Sequence, residues 1–135
     1  MKLMSDYKKI NILVVTSNAG LTFNVVRILN KMSIKPYILD STNKPLYSLK
    51  IFSKKYYNFN YNDMLADNNS AISFFRVSFI FRINEICKKH NINVVLPVDL
   101  ASIITVSKYR DELDDNILLP PTLDYNKIFE LRNII

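Results

Sequence analysis

Glycine occurs once in 135 residues, cysteine once, histidine once and tryptophan never. Each scarcity excludes something. A lone cysteine, Cys87, cannot close an internal disulfide, so a reducing, cytoplasmic setting is the default. One histidine, His90, with no cysteine pair beside it gives no zinc-ligand set. No Ser/His/Asp arrangement can be argued from a histidine that closes a helix. A dinucleotide fingerprint needs three spaced glycines. This chain has Gly20 alone, so nicotinamide and flavin are not expected. No apolar run approaches the ~20 residues of a membrane span, because Arg76 and Arg82 interrupt the longest helical pattern. The opening residues, Met1 to Lys9, lack the apolar core of a secretion signal.

Apolar residues make up 49% and charged residues 22% of the chain, ordinary values for one globular domain with a proper core. A net charge of +6 raises nucleic acid or a membrane surface as partners. The basic residues are nevertheless scattered, at Lys8-Lys9, Lys31, Lys35, Lys54-Lys55, Lys88-Lys89 and Lys108. An acidic group, Asp111-Glu112 with Asp114-Asp115, stands apart from them. This pattern reads as a solvated surface, with neither nucleic acid nor membrane as partner.

Alternation is the main structural signal. Strand one reads from Ile10 to Thr16, strand two from Lys35 to Leu39, strand four from Asn93 to Val98 and strand five from Ile117 to Leu119. Tyr56 to Phe59 reads as a short edge strand beside strand two. Between them, apolar residues recur at helical period from about Leu21 to Met32, with Phe23, Val26 and Leu29 on one face. Further helical patterns lie near Pro45 to Phe52, from Ser70 to about Lys89, from Leu100 to Tyr109 and after Asp124. Tyr61 to Asn69 reads as a loop. Strands separated by helices predict an α/β fold: a Rossmann-like parallel sheet with helices on both faces. Strands one and four carry the continuous apolar runs of strands buried on both faces, so the expected order is 2-1-4-5 with strand one central. The long helix has two apolar stripes: Phe75, Phe79, Ile83 and Ile86 on one, Phe74, Val77 and Phe81 on the other. One packs on the sheet. The second is covered by a neighbour or lies at an interface, which leaves open a pairing with a second copy. Cys87 reads as core.

The turn after strand one holds the single glycine, as if kept where the backbone has most need of it. N–H groups of Ala19, Gly20 and Leu21 at a helix start suit an anion. Asn18 adds a side-chain amide, or simply caps the helix. Asp40 ends strand two, about where a ribose-binding acid sits in dinucleotide folds; without their glycines it reads as a turn residue with Ser41 and Thr42. Asp99 follows strand four, either facing a ligand cleft or capping the next helix. A phosphorelay receiver domain is rejected, because its carboxylates after strand one are replaced by Thr16-Ser17-Asn18.

Ile12-Leu-Val-Val-Thr-Ser-Asn-Ala-Gly20, Asn24-Val-Val-Arg-Ile-Leu29, Tyr37-Ile-Leu-Asp40-Ser41 and Ile92-Asn-Val-Val-Leu-Pro-Val-Asp99 occur in an order that resembles a known family. The chain is similar to the pre-ATP-grasp domain, the N-terminal domain of ATP-grasp carboxylate–amine ligases such as carbamoyl-phosphate synthase large-chain-like proteins. Asn126-Lys127 resembles the Asp-Lys pair that begins the ATP-grasp region. The resemblance covers Ile10 to Ile135, and departs from the family in having less glycine in the first turn. It implies a tail over 1–9, the Rossmann-like domain over 10–122, and the start of a linker helix over 123–135. It also implies that the chain is a piece of a longer ligase, whose ATP-grasp domain follows. The parent would use ATP and Mg to activate a carboxylate and join it to an amine, with Lys127 on nucleotide phosphate. This piece would form one wall of the substrate cleft through Asn18, Ala19, Gly20, Leu21, Asp40 and Asp99. It would carry no catalytic residue and hold no cofactor tightly by itself. Two other readings stay open: a stand-alone interaction module using the second Phe stripe, and the N-terminal half of a glycosyltransferase.

Overall fold

Ile12–Thr16 is a run of β-branched and aliphatic side chains with every residue buried, and the sheet is organised around it. The structure is a computed structural model that describes residues 10–42, 47–59 and 70–120. In chain order it gives β1 (Ile12–Thr16), α1 (Ala19–Lys31), β2 (Tyr37–Asp40), a 3-10 segment (Tyr47–Phe52) and β3 (Lys55–Asn58). Then follow α2 (Ser70–His90), β4 (Val94–Pro97), α3 (Leu100–Lys108) and a short 3-10 turn (Arg110–Glu112). The expected loop over Tyr61 to Asn69, the last helix and Asn126-Lys127 lie outside the described residues.

The strands order as β3-β2-β1-β4, and every pairing is parallel. Strand one is internal, and the Tyr56 segment is the edge beside β2, as the apolar runs predict. Strand five is weaker than its apolar sequence suggests. It reduces to one parallel bridge, Val94 to Leu118, with Leu118 N–H donating to Asn93 O and Val95 N–H to Leu118 O. Its polar lead-in, Asp114 to Asn116, and the proline at 120 bracket it, and proline has no N–H to extend a ladder.

Period-two alternation sorts the side chains onto two faces. Ile12, Val14 and Ile38 pack with Val26 and Leu29 of α1 and with Leu49 of the 3-10 segment. Leu13, Val15, Leu39 and Val95 pack on the other face with Phe79, Ile80, Ile83, Ile86 and Cys87 of α2 and Val106 of α3. Cys87 is therefore core, as expected. On the second apolar stripe of α2, Phe81 is 71% exposed. The side chains of Phe74, Phe75 and Val77 lie outside the described ones.

Both long helices end without glycine. Ile34 N–H donates to Leu29 O and Ile92 N–H to Cys87 O, closing the last turns in Schellman fashion. The left-handed residues that permit this are Ser33 (φ 63) and Asn91 (φ 55). Gly20 corrects the sequence expectation. It has no positive φ, sits in the first turn of α1, and a Cβ there would meet only Asn18 Oδ1 at 3.4 Å. The positions with the greatest need of glycine are occupied by serine and asparagine.

Candidate functional site

Thr16, Asp40 and Pro97 end adjacent parallel strands, so the segments after them meet at the carboxyl edge of the sheet. β1 is also where the chain's path reverses: β2 and β3 lie to one side, β4 to the other. Ligands of open α/β sheets bind in the crevice at such a switch point.

Asn18 has extended backbone (φ −134, ψ 107) and caps α1, its Oδ1 accepting from Leu21 N–H at 3.1 Å. A tight hydroxyl cluster fixes the turn. Thr22 Oγ1 lies 2.6 Å from Thr16 Oγ1 and donates to Asn18 O at 2.7 Å, while Asn18 N–H donates to Thr16 Oγ1 at 3.0 Å. The first intrahelical bond is Thr22 N–H to Asn18 O. Leu21 N–H is thus committed to the cap. The N–H groups of Ala19 and Gly20 precede any intrahelical acceptor and point out of the helix start.

Asp99 takes the N-cap position of α3 with extended backbone, yet its side chain makes no capping bond. The carboxylate turns sideways to the β1–α1 corner. Oδ1 accepts from Ser17 N–H at 2.9 Å, and Oδ2 accepts from Ser17 Oγ. The capping role does not describe this, because the carboxylate bonds Ser17 and not the α3 backbone. Asp99 is 7% exposed and ties the start of α3 to the end of β1.

Asp40 is equally occupied. It is fully buried, with Oδ1 accepting from Thr42 N–H at 2.9 Å and Oδ2 accepting from Thr42 Oγ1 at 3.0 Å and from Tyr56 O–H. The turn reading given by Ser41 and Thr42 describes this geometry. Ser41 N–H donates to Thr16 O at 2.9 Å, which keeps the β2 end against the β1 end. The structure therefore brings Asn18, Ala19, Gly20, Leu21 and Asp99 together, with Asp40 one strand away. Lys127 lies outside the described residues.

Sequence reasoning passed over three residues. Ser17 holds Asp99, Tyr56 holds Asp40, and Thr22 locks the corner. Thr22 was legible as a polar residue on an otherwise apolar helix face. Ser17 and Tyr56 act across the sheet, and nothing in local spacing signals them. Among the described residues there is no group of three His, Cys, Asp or Glu side chains placed to hold a metal ion, and no helix is long and apolar enough to cross a membrane.

No protein-family model and no curated protein sequence matches the chain. Among solved structures, it is similar to Rhizobium etli pyruvate carboxylase determined with the allosteric activator acetyl coenzyme-A. The match has a TM-score of 0.56 at 15% sequence identity, covering 93% of this chain and 12% of that one. At this identity the likeness concerns the fold. The chain is an α/β, Rossmann-like domain of a kind also built into a much longer carboxylase.

Proposed function

We propose that this domain forms one wall of the substrate cleft of an ATP-dependent carboxylate–amine ligase of the ATP-grasp class, and carries no catalytic residue itself. The observation that carries the reading is the meeting of the α1 start with Asp99 at the switch point of the sheet. There the N–H groups of Ala19 and Gly20, with the partial positive charge of the helix start, suit the carboxylate of a small substrate. The Asn18 amide, exposed beside them, adds an orienting group. Asp99 acts through Ser17, fixing the corner that presents these donors. Leu21 N–H holds the Asn18 cap, and Asp40 closes the neighbouring turn through Thr42 and Tyr56.

Two further facts support the ligase reading. A similar fold occurs within a pyruvate carboxylase. The order of motifs across Ile10 to Asp99 also resembles the pre-ATP-grasp domain. ATP and Mg would belong to the ATP-grasp part of the parent, with Lys127 placed on nucleotide phosphate as a compact charge.

The test is an amide-resolved titration of the purified chain with a panel of small carboxylates, amino acids and phosphate. Shifts concentrated at Ala19 and Gly20 are expected, and no ATP hydrolysis by the chain alone. Shifts confined to the amino-terminal edge, or ATP turnover by these 135 residues, would overturn the proposal. One observation favours the second reading, an interaction module: Phe81 on α2 and Ile51 on the 3-10 segment are 71% and 72% exposed.

A further inference from the structure

β4 is closed on one face and half-open on the other. Val95 and Pro97 are buried, Val95 in the cluster that α2 and α3 cover. Val94 and Leu96, which turn to the α1 face, are only half-buried. Leu118 is bridged to Val94, so it shares that face, and it is 66% exposed. β1 alongside is buried throughout. Parallel strands are ordinarily covered on both faces. Among the described residues no helix lies over β4 on this one, since α2 and α3 both pack on the other.

α1 gives the open strip a wall. Its Phe23 ring packs on that of Phe52 at 6.0 Å, and Asn30 Nδ2 donates to Phe52 O at 3.0 Å. That flank of α1 therefore leans toward the 3-10 segment between β2 and β3. At about 3.6 residues per turn, Val25, Ile28 and Met32 take the opposite flank, toward β4. Ile28 and Met32 are each 57% exposed. Val25, Val94 and Leu96 border the same buried cluster, so wall and floor form one apolar groove. Leu118 stands two strands from β1, roughly 10 Å at about 4.8 Å per strand, which matches the spacing of about 8–10 Å between packed helices. The groove has room for one helix beside α1.

We infer that residues 124–135 fill this groove as a helix, with Ile128, Leu131 and Ile135 against Leu96, Val94 and Leu118. The chain's own path selects this occupant. The Leu118 bridge is parallel, so the chain passes Leu119 toward the carboxyl edge at the groove's border, and Pro120-Pro121 then breaks the strand. Asp124 is a helix-capping residue type, and the three apolar residues after it recur at helical spacing. A helix from Asp124 to Ile135 is about 18 Å long at about 1.5 Å per residue, enough to descend the whole height of the sheet parallel to α1. Residues 1–9 reach the sheet from the amino edge through the charged pair Lys8-Lys9, a poorer match to an apolar floor. A second copy would have to displace a segment that already leaves the sheet at this border. The inference uses none of Asn18, Ala19, Gly20 or Asp99, so it stands or falls separately from the ligand site.

Paired cysteines in the full chain test it. Ile28→Cys combined with Ile128→Cys or with Leu131→Cys should, in at least one pair, close an intrachain disulfide under mild oxidation, mapped by peptide mass. Ile28→Cys with Asn133→Cys, on the polar side of the same pattern, should stay open. Native Cys87 is buried in the core and takes no part. In the otherwise native chain, Leu131→Asp should shift the methyl signals of Ile28 and Leu118 and raise binding of an apolar dye, whereas Leu3→Asp should do neither. If Leu131→Asp does not fold, the cysteine pairs decide alone. Failure of both stripe pairs to close overturns the inference, as does equal closure at Asn133. Disulfides joining two chains would overturn it in favour of a second copy, and a groove opened by Leu3→Asp in favour of residues 1–9.

Discussion

Both hydrogen-bond donors of Ser17 end on the carboxylate of Asp99, a residue 82 positions further along the chain. The pair bolts the β1–α1 corner to the start of α3, so Asp99 should matter for stability beyond any ligand. Asp99→Ala leaves the partly buried Ser17 N–H without its acceptor, at a cost of about 1–3 kcal/mol. In a double-mutant cycle with Ser17→Ala, a coupling of roughly 0.5–3 kcal/mol is expected. Urea denaturation of the four proteins measures it. Strict additivity would mean that the two residues act independently.

The glycine placement makes a second expectation, in the direction of greater stability. Gly20 is helical with ordinary space around its absent Cβ, so Gly20→Ala should stabilise the chain by about 0.4–1 kcal/mol. Ser33→Gly should also stabilise, because a left-handed residue with a Cβ costs about 1–2 kcal/mol that glycine avoids. Thermal melts decide both. A lower melting temperature for Gly20→Ala would mean that the bare backbone of the first turn is needed.

Cys87 lies within the α2 face of the core, and burial, assisted by Asp114, pushes its thiol up to about 12. Thiolate is the reactive form. A thiol reagent at about pH 8 should therefore label the native chain no faster than the core opens, and the unfolded chain at once. Fast labelling in native buffer would place the thiol at the surface.

His90 gives the pH dependence. Its folded pKa lies below the ordinary 6.5 because burial and the lysines 89 and 55 oppose a further positive charge. Lys54 lies over the Tyr37 ring and Arg82 over the Tyr57 ring, the two tyrosines that flank His90. The neutral ring is the one that folding favours. Below the unfolded pKa the unfolded chain binds the proton first, so stability falls from about pH 6.5 downward until the folded pKa is passed. Denaturant midpoints between about pH 7 and pH 5 should show this loss, and His90→Asn should flatten it.

Strand order and helix positions were legible because β1 and β4 are apolar on both faces and the helices repeat at their own period. The bonding of the acids was not. Asp40 and Asp99 each sit where a turn or cap role is the local reading, and Asp40 takes it through Thr42. Asp99 does not, because Ser17 on a neighbouring strand end supplies two donors where α3 would supply one. Such competition depends on which strand ends become neighbours, and no residue spacing encodes that. Strand five failed in the opposite way: Ile117 to Leu119 has the apolar character of a strand, while its flanks limit it to one bridge.

The internal position of β1 has a consequence for synthesis on the ribosome. One flank of β1 is covered by β2 soon after it emerges, but the other waits for Val94 to Pro97. Until then, Ile12 to Val15 form a bare strand edge of wholly apolar sequence, open to pairing with any other nascent chain. Closing that gap requires contacts between distant parts of the chain, which form slowly. A truncation before Val94 should accordingly be insoluble, whereas one after Leu119 retains every pairing that β1 makes.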